Sequence, residues 1–464
     1  MEWKKYIFIL LPSFFTSLLT YAQIEIVTPQ NQGIAWGTEV HLRIKNCPKE
    51  SFETRINGKK LIARWKKSPY KNEWFTTVSL QPERNYHVVV YGTCGKLNSS
   101  SAVSYFKTTR QNPIEIAEKV ADDFISKRKA KKLAWNWGPG IFLHGLIQLT
   151  RDSQKSEDYV SYLKTYFKNK RGWRLPKINF ADRCTSGLVG YELYEYFKEI
   201  DGLKGAGAVY RYLAHSKRNS IGALNHLGTH FYSHFYPQSI WLDSLMVAGI
   251  IGLKAALHEN DEVLLDWVLS QPEIYANVLQ DSFTGLFRHS YRVKRKKQVP
   301  SSRTFWLRGN GWVASSLIDM IELTPVTHPK RESLIQIFTN LSYGIAGAQM
   351  EMGVWDTVMN RPGYAYTEGS GSALSAYALA KGVRLGILPS HFFDSAYKAY
   401  QVLTSRLIKT KNGYQVPDTS WHTHPSGPLG YKMVPRLKDV DYGVGAYLLM
   451  ATEISKTVSK NPIN

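Results

Sequence analysis

The chain has 464 residues and carries 59 Lys+Arg against 37 Asp+Glu, a formal net charge of +22. Three cysteines exclude a disulfide scaffold and a cysteine-built metal site, and no stretch beyond the N-terminus is long and apolar enough to cross a bilayer. So basic a surface favours a polyanionic partner, and in an exported protein this means an acidic polysaccharide rather than nucleic acid.

Residues 1–22 read as a secretory signal peptide: Lys4-Lys5, an apolar run over 6–19, and Thr20-Tyr21-Ala22 as a small-residue cleavage site, with cleavage after Ala22. The mature protein is therefore expected in a periplasm or outside the cell. Residues 23–110 alternate apolar and polar positions in short runs (24–27, 40–44, 52–56, 74–78, 86–91 and 103–106) separated by turn signals such as Asn57-Gly58. This pattern predicts a small β-sandwich of immunoglobulin or fibronectin type, either a support for the next domain or a glycan-binding module. Cys47 and Cys94 fall within it as a disulfide or as two free thiols, and Cys184 is left single.

From residue 113 the period becomes helical. Twelve helices are predicted, over 114–131, 140–149, 159–167, 188–197, 207–213, 240–257, 263–278, 312–321, 334–348, 370–385, 392–407 and 444–454. The fold class is mainly α: twelve helices over 113–457 suit an (α/α)6 toroid of inner and outer rings, preceded by the sandwich. Loops rich in Trp, His, Gly and acids sit before many of these helices and would line one mouth of the ring. Three basic clusters, at 127–132, 168–174 and 292–297, read as solvated surface, except that the third follows His289 closely enough to face a ligand.

The most distinctive stretch is 230–243, aromatic, with His230 and His234 and ending in Asp243. Asp243 is placed in the first turn of the 240–257 helix, either as a complement to the helix dipole or as a catalytic acid. Desolvation by Tyr232, Phe235, Tyr236 and Trp241 is expected to raise its pKa and make it a general acid.

Three pieces, Tyr-Pro-x-x-x-Trp-Leu-Asp at 236–243, Gly-Leu-x-x-His at 285–289 and Trp-x-Arg-Gly-Asn-Gly-Trp at 306–312, resemble the unsaturated glucuronyl and rhamnogalacturonyl hydrolases of glycoside hydrolase family 105. The resemblance covers about 113–457. It implies Asp243 as catalytic acid and base and Asp182 as the second acid facing it. His289, Arg308, Trp306, Trp312 and Trp137 would line the sugar pocket; Tyr232 stands where the family usually carries a histidine, with His230 and His234 two residues away on either side, and Tyr232 and His234 are taken as substrate-binding candidates. Structural alternatives remain for each: a helix cap for Asp182, a salt bridge for Arg308, a satisfied core histidine for His289, core packing for Trp312 and a helix cap for Glu368.

The implied substrate is an anionic lyase product with a C4=C5 double bond in its terminal uronate. Hydration of this vinyl ether, rather than displacement at the glycosidic carbon, needs no pair of carboxylates astride the scissile oxygen. A second carboxylate near the first would keep a proton available near neutral pH. No cofactor, metal or membrane span is implied, and oligomeric state is not readable. The rival readings are a lyase or inverting glycosidase on the same toroid, and a glycan-binding protein without activity.

Overall fold

A computed structural model describes residues 25–28, 33–36, 39–45, 52–67, 73–81, 84–93, 99–109, 112–170 and 174–460. The expected signal segment, Cys47 and Cys94 lie outside them.

The N-terminal part is β. One sheet has strand order β1-β3-β7-β6 and the other β2-β9-β8-β4-β5, with β1 Glu25–Thr28, β2 Gly33–Trp36, β3 Glu39–Lys45, β4 Phe52–Ile56, β5 Lys59–Lys60, β6 Lys66–Lys67, β7 Glu73–Ser79, β8 Asn85–Thr93 and β9 Ser99–Thr109. Alternate residues Leu42, Ile44, Val78, Val88 and Val90 form a small core between them. Phe75 instead belongs to the core of the helical part, and Lys66 pairs with Glu351 at 3.5 Å, so β7 and β6 join the two parts.

All twelve predicted helices are present, as α1 Pro113–Lys127, α2 Trp137–Thr150, α3 Ser156–Lys168, α4 Thr185–Phe197, α5 Leu203–His215, α6 (Ser244–Met246, a π-helical turn Val247–Ile251, then Gly252–Glu259), α7 Glu262–Leu279, α8 Leu307–Leu323, α9 Arg331–Gly347, α10 Gly369–Arg384, α11 His391–Ser405 and α13 Asp441–Lys460. A short α12, Pro428–Met433, is added. The division into rings follows from sequence. α2 is apolar on all sides and twelve of its fourteen residues are buried, as an inner helix requires. α1 buries one stripe, Ile116, Ala117, Val120 and Phe124, and starts on Asn112, whose side chain accepts from Ile114 N, with Pro113 in its first turn. The inner ring runs α2, α4, α6, α8, α10, α13 and closes α13 against α2. That closure needs two glycines: a Cβ on Gly145 would stand 2.4 Å from the Gly445 carbonyl oxygen.

One helix starts later than its periodicity suggests. Ser239–Trp241 is not helical but a strand, β10, paired with β11 Ser290–Arg292, which pairs in turn with β12 Lys297–Val299. The apolar run at 240–242 is satisfied by burial as a strand, and α6 begins only at Ser244. No helix among the described residues is long and apolar enough to cross a membrane.

Candidate active site

The N-terminal ends of the inner helices and the loops before them enclose a pocket of about 700 Å³, counting the open space at its mouth. Trp137, Asp182, Thr185, His226, Trp241, Asp243, Trp306, Arg308, Trp312, His422 and His424 line it. Deeper along the same helices lies a separate charged cavity lined by His144, Glu192, Asp319, Lys381, Arg384 and Glu453. Its ion pairs, such as Lys381 with Asp319 at 2.6 Å and Glu322 at 2.7 Å, close the far end of the ring.

Asp243 is delivered by the turn from β10 into α6, at the N-cap position, but its side chain makes no capping bond. Behind it stands His289, fully buried, with Nε2 3.5 Å from Oδ2 of Asp243. His289 is clamped by Trp306, stacked at 4.4 Å, and by a 2.8 Å hydrogen bond between Nδ1 and the Tyr431 hydroxyl. Burial pushes the Tyr431 phenol far up, so it keeps its proton; with the Asp243 carboxylate facing Nε2, the tautomer that gives both ring nitrogens a partner has the phenol donating to Nδ1. Burial also lowers His289, which is therefore neutral with its remaining proton on Nε2, facing Asp243. Burial alone would raise Asp243, but the facing His289, then His226, outweigh it and hold the carboxyl below its ordinary value. The expectation that aromatic desolvation makes Asp243 the protonated acid is thus reversed, because the imidazoles flanking it are polar groups the aromatic count omitted. His289 is corrected too: it supports Asp243 from behind and does not line the pocket.

Asp182 sits on the turn Ala181–Arg183 before α4 and caps nothing; Cys184 occupies the N-cap position. The turn is held by Trp135, whose Nε1 donates to the Arg183 carbonyl at 2.8 Å, and by Ala181 N donating to the His226 carbonyl at 3.2 Å. Close approach of the next loop depends on Gly228, at φ +48°, where a Cβ would meet the Asn179 carbonyl oxygen at 2.1 Å. Burial, then the negative charge of Asp243, raises Asp182 to about 7. His226 lies 3.8 Å from Asp182, bonds Ser244 Oγ at 2.7 Å and stacks on Trp241 at 4.1 Å. Burial drops it to about 4, leaving it neutral. The two carboxyls therefore hold one proton between them on the acid side of pH 7, with the favoured place on Asp182, and lose it as pH rises through 7.

Arg308 lines the pocket, yet both of its terminal nitrogens are committed. They donate to Ser420 O (2.8 Å), Ser420 Oγ (2.5 Å), Trp421 O (2.9 Å) and Thr423 Oγ1 (3.1 Å), and Glu368 lies 3.6 Å away. Its work is to clamp the 420–424 loop, which corrects the expectation of a free two-pronged donor for substrate. Glu368 caps α10, accepting from Ser370 N at 3.2 Å and Gly371 N at 2.6 Å, and also takes the Ser420 N–H at 3.0 Å. The clamped loop brings His422 and His424 to the pocket, with His422 against Trp137 and His424 against Trp241. Trp137, Trp306 and Trp312 stand where expected. Tyr232 and His234 are exposed outside the lining, because the turn Phe231–His234 carries them away from β10.

Sequence reasoning missed His226, His422, His424 and Tyr431. A signal existed for two of them: His422-Thr423-His424 in a Pro- and Gly-rich loop has the composition of the other mouth loops. For Tyr431, 142 positions from His289, no local pattern was available. Among the described residues no group of three or more His, Cys, Asp or Glu side chains is placed to hold a metal ion.

The family model described as Glycosyl Hydrolase Family 88 matches residues 115–458. An unsaturated rhamnogalacturonyl hydrolase of Bacillus subtilis is 26% identical over 347 residues, 73% of this chain and 94% of that protein. An unsaturated 3S-rhamnoglycuronyl hydrolase of Alteromonas sp. is 29% identical over 219 residues, 46% of this chain and 50% of that protein. A solved family 105 glycoside hydrolase of C. acetobutylicum superposes with a TM-score of 0.67 at 24% identity, over 73% of this chain and 99% of that one. The likeness to that structure establishes the toroidal fold.

Proposed function

The chain belongs to glycosyl hydrolase family 88 and to the family 105 hydrolases its motifs resemble, and we propose that this glycoside hydrolase removes a 4,5-unsaturated uronic acid from the non-reducing end of lyase-generated oligosaccharides. The acidic polysaccharide behind them is of rhamnogalacturonan or ulvan type. The observation that carries the reading is that Asp182 and Asp243 line one pocket, with the Asp182 carboxyl raised to about 7 and the Asp243 carboxyl held below its ordinary value.

The chemistry follows from that split. The carboxylic acid of Asp182 protonates C4 of the vinyl ether. The positive charge that develops at C5 is stabilised by the ring oxygen and by the Asp243 carboxylate. Asp243 then takes a proton from the water whose oxygen bonds to C5. The product is a hemiketal at C5; opening of its ring leaves a hemiacetal at C1, which breaks to an aldehyde and the free hydroxyl of the neighbouring sugar. One water is consumed for each linkage cut, and proton exchange within the carboxyl pair restores the starting state. This division gives Asp182 the first proton, where the resemblance implied Asp243 for both steps. Trp137, Trp241, Trp306 and Trp312 give the pocket an apolar aromatic wall suited to an unsaturated ring.

We read residues 1–22 as an export signal, which N-terminal sequencing of the mature protein checks; a start at Met1 contradicts it. The reaction is tested by incubating the protein with lyase digests of rhamnogalacturonan and ulvan and weighing the products. Uptake of one water with loss of the double bond supports hydration. New double bonds on intact polymer would instead identify a lyase, whose base would be one of the pocket histidines.

A further inference from the structure

We infer that Arg292, backed by Lys297, forms a subsite for a fixed negative charge on the sugar next to the one removed, so that the preferred substrate is anionic on the reducing side as well. The inference rests on the reading of the pocket given above.

The three-stranded sheet β10-β11-β12 adjoins the pocket through Trp241, the last residue of β10. Its register sets Trp241 opposite Ser290, and Ser239 opposite Arg292, while Arg292 faces Lys297 across the next ladder. Residues opposite one another in an antiparallel pair share a face, as do residues two apart along a strand. Trp241, Ser239, Arg292 and Lys297 therefore share one face, and the Trp241 indole N–H confirms its part of this by donating to Ser239 Oγ at 3.1 Å. Trp241 walls the pocket. Arg292, opposite Ser239, stands two strand positions from Trp241, ~7 Å along the strand and outside the residues that line the pocket, which is the spacing a sugar next to the one in the pocket would need.

Arg292 is poorly satisfied where it stands. Half-buried, it has an Nε that is fully buried and without a hydrogen-bond partner. Among the described residues, none of the ion pairs involves Arg292, Lys294, Arg295, Lys296 or Lys297, whereas the basic residues of the deep cavity are paired with acids. A partly desolvated guanidinium with no counter-ion is a charge awaiting an anion. The adjoining surface suits a sugar. Tyr236, on the approach to β10, meets Trp241 edge-on at 5.9 Å. Aromatic faces beside an unpaired cation fit a saccharide bearing a sulfate ester or a carboxylate better than a neutral one.

The test compares three unsaturated fragments: one with a sulfate ester on the neighbouring sugar, one with a carboxylate on it, and one with neither. Steady-state kinetics are followed by loss of the double bond for wild type, Arg292→Ala, Arg292→Lys, Lys297→Ala, and a triple alanine variant of Lys294, Arg295 and Lys296 at the hairpin tip. Arg292→Ala is expected to raise KM for a charged fragment ~10-fold or more, with kcat nearly unchanged and the neutral fragment affected less than twofold. Arg292→Lys should recover most of the loss, and Lys297→Ala should show a smaller change of the same kind. Added salt should weaken the charged fragment alone. Which charged fragment responds identifies sulfate or carboxylate. Equal KM changes for charged and neutral fragments, or a wild type indifferent to charge, overturn the subsite while leaving the hydrolase reading standing. Failure of wild type to consume any of the three removes both.

Discussion

Replacing Asp182 by Asn tests the electrostatics of the pocket in a way that separates activity from stability. The wild-type carboxyl has its folded value raised from 3.8 to about 7. A group that holds its proton more tightly when folded stabilises relative to its ionised form only while it stays protonated. That advantage is complete below the unfolded value near 4 and is lost as pH rises through 7. Ionising it in the folded protein therefore costs stability: at ~1.4 kcal/mol per pH unit the displacement amounts to ~4 kcal/mol. The side chain is one-third exposed, and screening by solvent reduces this to ~2 kcal/mol. Asparagine is neutral at every pH and nearly isosteric. The variant should be ~2 kcal/mol more stable than wild type at pH 8 and level with it only near pH 3, below the unfolded value, while losing hydrolysis at both. Denaturant unfolding at the two pH values measures this. A gain of equal size at both, or none at pH 8, refutes the shared-proton account even if activity disappears.

Further predictions follow from the same geometry. The kcat/KM profile should fall above about pH 7, as Asp182 loses its proton, and its acid limb should lie below the ordinary aspartate value of 3.8, where Asp243 becomes protonated. Tyr431→Phe removes the donor to His289 Nδ1 and frees the ring to change tautomer; kcat should drop ~10-fold and the acid limb should move up, whereas a purely structural role would leave the limb in place. Lys381→Met leaves Asp319 in the deep cavity without its counter-ion and should destabilise by ~3 kcal/mol, read from unfolding midpoints. Arg308→Lys cannot span Ser420, Trp421 and Thr423 together; the loosened loop should raise KM several-fold, without the selective loss on charged fragments expected for Arg292→Ala.

What was legible in the sequence was what is local. The helical period from residue 113 and the alternation before it depend on neighbours a few positions apart, so all the long helices and most of the N-terminal strands could be read, while the short α12 could not. The inner ring was encoded more subtly, in helices such as α2 that are apolar on all sides. The 240–242 run misled because an apolar triplet satisfies strand and helix alike, and only its pairing with 290–292 decides. At the site, Asp182, Asp243 and the three tryptophans that the family resemblance pointed to come together in one pocket. Arg308 and His289 were identified as residues and misread as roles, since their partners lie 112 and 142 positions away. The protonation of Asp243 depended on the same missing neighbours.

The central claim is that a single carboxyl pair hydrates an unsaturated uronate. Its most direct test is the ultraviolet absorbance of the conjugated double bond in lyase-digested rhamnogalacturonan and ulvan, followed with wild type, Asp243→Asn and Asp182→Asn. Bleaching of one digest by wild type, and by neither variant, is the predicted result. Bleaching that survives in Asp243→Asn, or absorbance that rises on intact polymer, would contradict it.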